Sequence, residues 1–189
     1  ICDFPIPPEF PVSTFWDIGR RDYTTIWFMQ EINGQFNLID YWYLSGGDVD
    51  IFARELKSKP YRYLEHFLPH DAGQLRVGMA GKNVLQQMQD AIPNDKFTLL
   101  KVTNSVQADI IATRSFLHRC AFHATNTREG LNALKNYTKK WNDKKNMFED
   151  YPDHNWASHG ADAFRELAIA MMNRRNIERP TMSDNGLRR

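Results

Sequence analysis

Hydrophobic residues along this chain switch between two spacings. Val12 to Ile18, Tyr23 to Ile32 and Phe36 to Leu44 are runs of β-branched and aromatic residues, broken by Gly19 to Asp22 and by Asn33-Gly34. Such runs predict three strands in an antiparallel meander. An Asn-Gly pair between them predicts a tight hairpin, because both residues accept a positive φ. After Gly46-Gly47 the spacing of Val49, Phe52, Ala53 and Leu56 turns helical, and Asp48 stands where an N-cap belongs. A strand follows from Tyr63 to Leu68 and stops at Pro69-His70-Asp71. Helix returns over Val84 to Gln89, an apolar run covers Phe97 to Val102, and Ser105 caps a helix running through Leu117. Cys120 to His123 reads as a short strand, Thr127 to Asn136 as a helix, and His154 to Met172 as the last long helix. The sum is an α/β chain with a mixed β-sheet flanked by α-helices.

At 189 residues and 42% hydrophobic content the chain can bury one full core. No window has the run of apolar residues that a membrane span needs, so no membrane partner is expected. Four prolines among the first eleven residues make 1–11 a Pro-rich, extended lead-in, 12–176 the domain itself, and 177–189 a mobile basic tail. Cys2 and Cys120 do not make a disulfide framework. The net charge is only +1, but five lysines crowd between Lys135 and Lys145 against Asp143 alone, interleaved with Tyr137 and Trp141. Basic runs containing aromatics suit phosphate-backbone contact, although many are simply solvated faces.

Three carboxylates stand in apolar frames: Asp17 in VSTFWDIG, Asp71 in YLEHFLPHDAG and Asp162 in NWASHGADAFRELA. No cation partner is apparent beside them in sequence. Buried charge of one sign is costly, and gathering three such groups makes a divalent cation the natural partner. His159 lies three residues before Asp162, on the same helical face. Each aspartate also has an ordinary alternative: Asp17 in a turn paired to Arg20 or Arg21, Asp71 as turn chemistry, and Asp162 in a surface ion pair with Arg165.

The stretch GQLRVGMAGKN lacks the first glycine and the Ser/Thr of a nucleotide P-loop and is not an ATP site. Its Arg76 and Lys82 are candidates for DNA backbone contact. His118, Cys120 and His123 match no zinc spacing, and His154 and His159, five apart, are not a helical zinc pair. No zinc is assigned.

FWDIGRRDYTTIWF, FLPHDAG with Gly81-Lys82 downstream, and HNWASHGADAFRELA together resemble the nuclease domain of the large terminase subunit of tailed bacteriophages, over nearly the whole chain. The resemblance implies an RNase H-like, resolvase-type fold and a metal-dependent endonuclease that cuts concatemeric double-stranded viral DNA during genome packaging in the host cell cytoplasm. An ATPase motor domain, a portal protein and a small terminase subunit are the implied partners. By the same resemblance Asp17, Asp71 and Asp162 become catalytic metal ligands, with His159 beside them in a supporting role and Asp22 a weaker candidate. The implied cofactor is Mg2+ or Mn2+, as two ions roughly 4 Å apart. The carboxylates hold charge and need no unusual pKa. Lys140, Lys144 and Lys145, in a hairpin or loop over Lys139 to Met147, would contact DNA, unless that segment is a plain basic turn with Trp141 packed inward. Two alternatives stay open: a Holliday-junction resolvase of similar fold, and a non-catalytic module that docks a motor to a portal.

Overall fold

The computed structural model describes residues 1–19, 22–74 and 81–178, with only the backbone given for 175–178. β1 (Val12–Asp17), β2 (Tyr23–Ile32) and β3 (Gln35–Ser45) form the antiparallel meander. Asn33 and Gly34, at φ 51° and 80°, close the β2–β3 hairpin as the Asn-Gly signal requires. α1 (Val49–Ser58) starts where Asp48 accepts a hydrogen bond from the Ile51 amide at 3.1 Å. β4 (Tyr63–Leu68) then enters beside β1, running parallel to it.

After a 3-10 turn over His70–Gly73 come α2 (Val84–Ala91), β5 (Phe97–Leu99), α3 (Val106–Phe116), β6 (Cys120–Phe122) and α4 (Arg128–Asn136). β7 (Lys139–Asn142) and β8 (Met147–Pro152) pair as a separate hairpin, and α5 (Trp156–Glu178) closes the described chain. α5 starts two residues later and runs six residues further than its apolar spacing implies. The apolar run expected over Phe97 to Val102 pairs only as far as Leu99. The main sheet has the order β5-β4-β1-β2-β3-β6, with the meander at its centre and parallel strands added at both edges.

Pleating decides which side chains meet which helices. In β1, Val12 and Trp16 join the core under α1 and α2, while Phe15 faces the opposite core built on α5 with Phe164, Leu167 and Ala168. Asp17, two residues after Phe15, shares its face and so looks toward α5. In β2, Ile26 and Phe28 belong to the first core and Trp27 and Met29 to the second. The lead-in is tied down: the Gln30 amide donates to the Pro7 and Phe10 carbonyls at 2.9 and 2.8 Å, and Arg62 donates to the Glu9 carbonyl.

Small residues let the helices approach. A Cβ at Gly130 of α4 would collide with the rings of Trp27 and Tyr41, and one at Gly160 of α5 would sit 2.6 Å from the Tyr41 hydroxyl and 2.8 Å from Ala133. The Trp27 indole N–H donates to the Gly160 carbonyl at 2.8 Å, fixing α5 over the sheet. Gly130→Ala is therefore expected to lower stability by about 1–3 kcal/mol through overpacking. At an exposed helical site the same change would add about 1 kcal/mol. Urea denaturation separates the two signs. No helix among the described residues is long and apolar enough to cross a membrane.

Candidate active site

β1 and β4 are parallel neighbours, with Phe15 opposite Phe67, so both strands end on one edge of the sheet. In sheets of this kind that edge is where ligands collect. Asp17 is the last residue of β1, and Asp71 lies in the 3-10 turn just past β4. α5 comes to the same edge because Thr25 donates to the His159 carbonyl at 3.0 Å and Trp27 to that of Gly160.

Of the site residues foreseen in sequence, Asp17, His159 and Asp162 lie within reach of one another, and Asp71 stands at the same sheet edge. His159 Nδ1 donates to Asp17 Oδ2 at 2.8 Å, joining α5 to β1 across 142 residues of chain. Asp162, one turn on, accepts on Oδ1 from Arg165 at 2.7 Å and from the Tyr137 hydroxyl at 3.1 Å. Neither aspartate therefore lacks a partner, contrary to the expectation from sequence: a cation three residues along α5 and a histidine from a distant element supply the pairs. The Asp162–Arg165 pair is not at the surface, since the two side chains are 29% and 17% exposed. Among the described residues Asp17 pairs with His159, while Arg20 and Arg21, the partners expected from sequence, lie outside them.

Electrostatics go against the expectation of ordinary carboxylates. Burial raises the pKa of Asp162; Arg165 works against this and the charge of Asp17 adds to it. His159 is raised by its hydrogen bond to Asp17, against the opposing effect of burial, with further help from the charges of Asp17, Asp22 and Asp162.

One acidic residue escaped sequence reasoning. Glu166 lies four residues after Asp162 on α5, and its buried Oε2 has no hydrogen-bond partner among the described residues. Burial pushes its carboxyl up to about 8, and the charges of Asp17, Asp162 and Asp71 contribute to that rise. Asp-x-x-x-Glu at helical spacing was the available signal, masked by the Arg165 beside it, which made the segment look like a charged surface. An open groove of about 870 Å³ between α3, α5 and the β5 edge reaches Arg165 and Glu166, with Lys101 and Arg174 also on its walls.

The donor set suits a hard divalent cation. Asp17, Asp71, Asp162 and Glu166 offer oxygen ligands only, and the mutual repulsion recorded at Asp162 and Glu166 is what such an ion relieves. The bonds to His159, Arg165 and Tyr137 use one oxygen each of Asp17 and Asp162, so those bonds leave the second oxygen unspent.

The candidate DNA contacts are scattered. Lys82 pairs with Asp90 at 2.6 Å on the open surface, a contact of little energetic weight. Arg76 lies outside the described residues. Lys140, Lys144 and Lys145 lie on the β7–β8 hairpin, where Trp141 is 44% exposed and stacks edge-on against Phe148 rather than packing inward. Tyr137 is not part of that surface, being turned to Asp162. At His118, Cys120 and His123 no metal cluster forms among the described residues, and burial pushes the Cys120 thiol up to about 12, as for an inert buried thiol.

A mixed five-strand core order of 5-4-1-2-3 with carboxylates gathered at the end of its first and fourth strands defines an RNase H-like domain. Residues 14–161 match the family of the terminase RNaseH-like domain, and the chain belongs to that family. No curated protein matches. Among solved structures, the large terminase of a thermophilic bacteriophage in complex with ADP superposes with a TM-score of 0.70 at 16% identity, covering 91% of this chain and 42% of that one. The P22 large terminase nuclease domain gives 0.62 at 22% identity, over 95% and 92% of the two chains. The g2p large terminase nuclease domain of bacteriophage SPP1 with bound Mn gives 0.56 at 13% identity, over 86% and 87%. This chain thus spans less than half the length of the ADP-bound terminase.

Proposed function

We propose that this chain is a divalent-cation-dependent endonuclease that cuts double-stranded DNA during the packaging of concatemeric viral genomes. The observation that carries this is the convergence of the charges of Asp17, Asp71 and Asp162 on the unforeseen Glu166 at one sheet edge. Manganese bound to the SPP1 relative supports Mn2+ or Mg2+ as the cation, as one ion or a pair.

Asp17, Asp71 and Asp162 hold the cation, and Glu166 completes the set. When bound, the cation supplies the charge that activates water and stabilises the leaving oxygen. His159 fixes the Asp17 carboxylate through Nδ1–H, and Arg165 with Tyr137 fixes that of Asp162. These are positioning roles, because each residue acts through a carboxylate. The lysines of the β7–β8 hairpin and Lys82 contact the phosphate backbone, with Arg76 a further candidate. Backbone contacts of this kind carry no base preference.

The greater length of the ADP-bound relative supports a full-length protein in which an ATPase motor domain accompanies this one, working in the host cytoplasm with a portal protein and a small terminase subunit. Nicking and linearisation of supercoiled plasmid by this chain, with magnesium, manganese or EDTA, tests the proposal. Cutting in either metal that EDTA abolishes is the expected result. A folded domain that cuts under no metal would favour a docking module, and a dimer that prefers four-way junctions would favour a resolvase.

Neutralising the hairpin as Lys140→Gln, Lys144→Gln and Lys145→Gln together is expected to flatten the salt dependence of DNA binding. At roughly 0.9 per phosphate contact, the slope of log affinity against log salt should fall by about 2–3. Lys145 already pairs with Glu149 at 3.1 Å and should contribute least. Fluorescence anisotropy across a salt series reads the change.

A further inference from the structure

Beside the carboxylates, a second group of potential ligands converges. Asp22, His154 and His159 place one donor atom each within 4.8 Å of one another. Asp22 precedes β2, His154 precedes α5, and His159 is on its second turn, so the fold gathers three residues whose sequence spacing matches no metal motif.

The hydrogen bonds around both imidazoles orient them alike. The Ser158 hydroxyl donates its one proton to the Asn155 carbonyl at 2.8 Å, so toward His154 Nδ1, at 3.1 Å, it can only accept. His154 Nδ1 therefore carries the hydrogen. His159 Nδ1 carries one as well, because its partner 2.8 Å away is the Asp17 carboxylate. In each neutral ring this leaves the lone pair on Nε2. A carboxylate or hydroxyl behind a histidine, fixing its tautomer, is the arrangement found behind metal-bound imidazoles.

We infer that Asp22, His154 and His159 bind a borderline transition-metal ion of the Zn2+ class, at a second site that adjoins the carboxylate centre through His159. Two imidazole nitrogens and one carboxylate oxygen suit zinc, whereas the all-oxygen set of Asp17, Asp71, Asp162 and Glu166 suits magnesium or manganese. Tetrahedral zinc with ligands at about 2.0–2.1 Å needs donors about 3.3 Å apart. Asp22 and His154 are exposed and can rotate inward, while His159 is buried and held. Three protein ligands leave a fourth position open to water. His159 belongs to both centres: its Nδ1–H holds Asp17, and its Nε2 faces the second ion.

The test is calorimetric titration of Zn2+ into the chain, without DNA and with magnesium in excess, so that it is independent of cleavage. One Zn2+ per chain is expected, with affinity lowered at least about tenfold by His154→Ala or Asp22→Asn and unchanged by Asp71→Ala. Co2+ in place of zinc should give the strong visible absorption of a tetrahedral site, lost in His154→Ala. Thermal unfolding confirms that each variant is folded. Equal zinc affinity in wild type and folded His154→Ala would overturn the proposal. So would loss of zinc binding in Asp71→Ala, which would put the zinc at the carboxylate centre. Neither result bears on whether the chain cuts DNA.

Discussion

Replacing Asp17, Asp71 or Asp162 with alanine is expected to lower metal-dependent plasmid cleavage by at least about 10³-fold. A bound cation contributes several kcal/mol of transition-state stabilisation, and each 1.36 kcal/mol is a factor of ten in rate. The three substitutions should nevertheless differ in stability. Asp162 is held above the ordinary carboxylate range by burial, so Asp162→Asn removes an unfavourable charge and should leave the metal-free domain as stable as wild type or more so. Asp17→Ala strips His159 of its hydrogen-bond acceptor inside the α5–β1 junction and should cost stability. Rates from gel-resolved nicking, beside unfolding curves for the same variants, separate loss of chemistry from loss of fold. Cleavage that survives all three changes would remove the nuclease assignment.

Glu166→Gln should act in opposite directions on stability and function. The carboxyl of Glu166 is raised to about 8, so the folded chain keeps a proton there that the unfolded chain has already released. A raised pKa of this kind gives stability that is complete below the unfolded value near 4.3 and lost as pH rises through about 8. Glutamine mimics the protonated form and does not titrate. The two proteins should match in stability near pH 4, and the metal-free variant should lead increasingly as pH rises, by several kcal/mol at pH 8. For a chain of this size each kcal/mol of that lead is about 2–4 °C in melting temperature. At limiting magnesium the same variant should cut at least about tenfold more slowly. Scanning calorimetry across pH with EDTA present reads the first effect. A constant difference between pH 4 and pH 8 would mean that Glu166 titrates as an ordinary exposed carboxylate.

The short-range part of the fold could be read from the chain because local chemistry fixes it. Asn33-Gly34 accepts positive φ, Asp48 and Ser105 cap their helices with their own side chains, and Tyr23–Ile32 and Tyr63–Leu68 carry strand-forming residues to their limits. Thr127 shows where local signals mislead. It sits at the cap of α4, but its hydroxyl donates to the His123 carbonyl at 2.8 Å and caps nothing.

Candidate chemistry was legible only as separate fragments. Asp17, Asp71, Asp162 and His159 each stood out by residue type and apolar setting, and the family resemblance joined them. Their pairing was not legible, because it depends on α5 crossing a sheet edge built from strands far away in sequence. Glu166 was hidden for the same reason, since an acidic residue beside an arginine on a helix looks solvated until the face of the helix is known.

The sequence by itself determined the order of elements, the turns and caps, and the residues able to hold a cation, since these follow from backbone preferences and side-chain chemistry within a few positions. Tertiary structure alone decided the rest: that β1 and β4 end side by side, that Asp17 faces α5, and that burial and like charge together lift Asp162 and Glu166. Those are effects of distance and desolvation between segments, and a chain has neither until it folds.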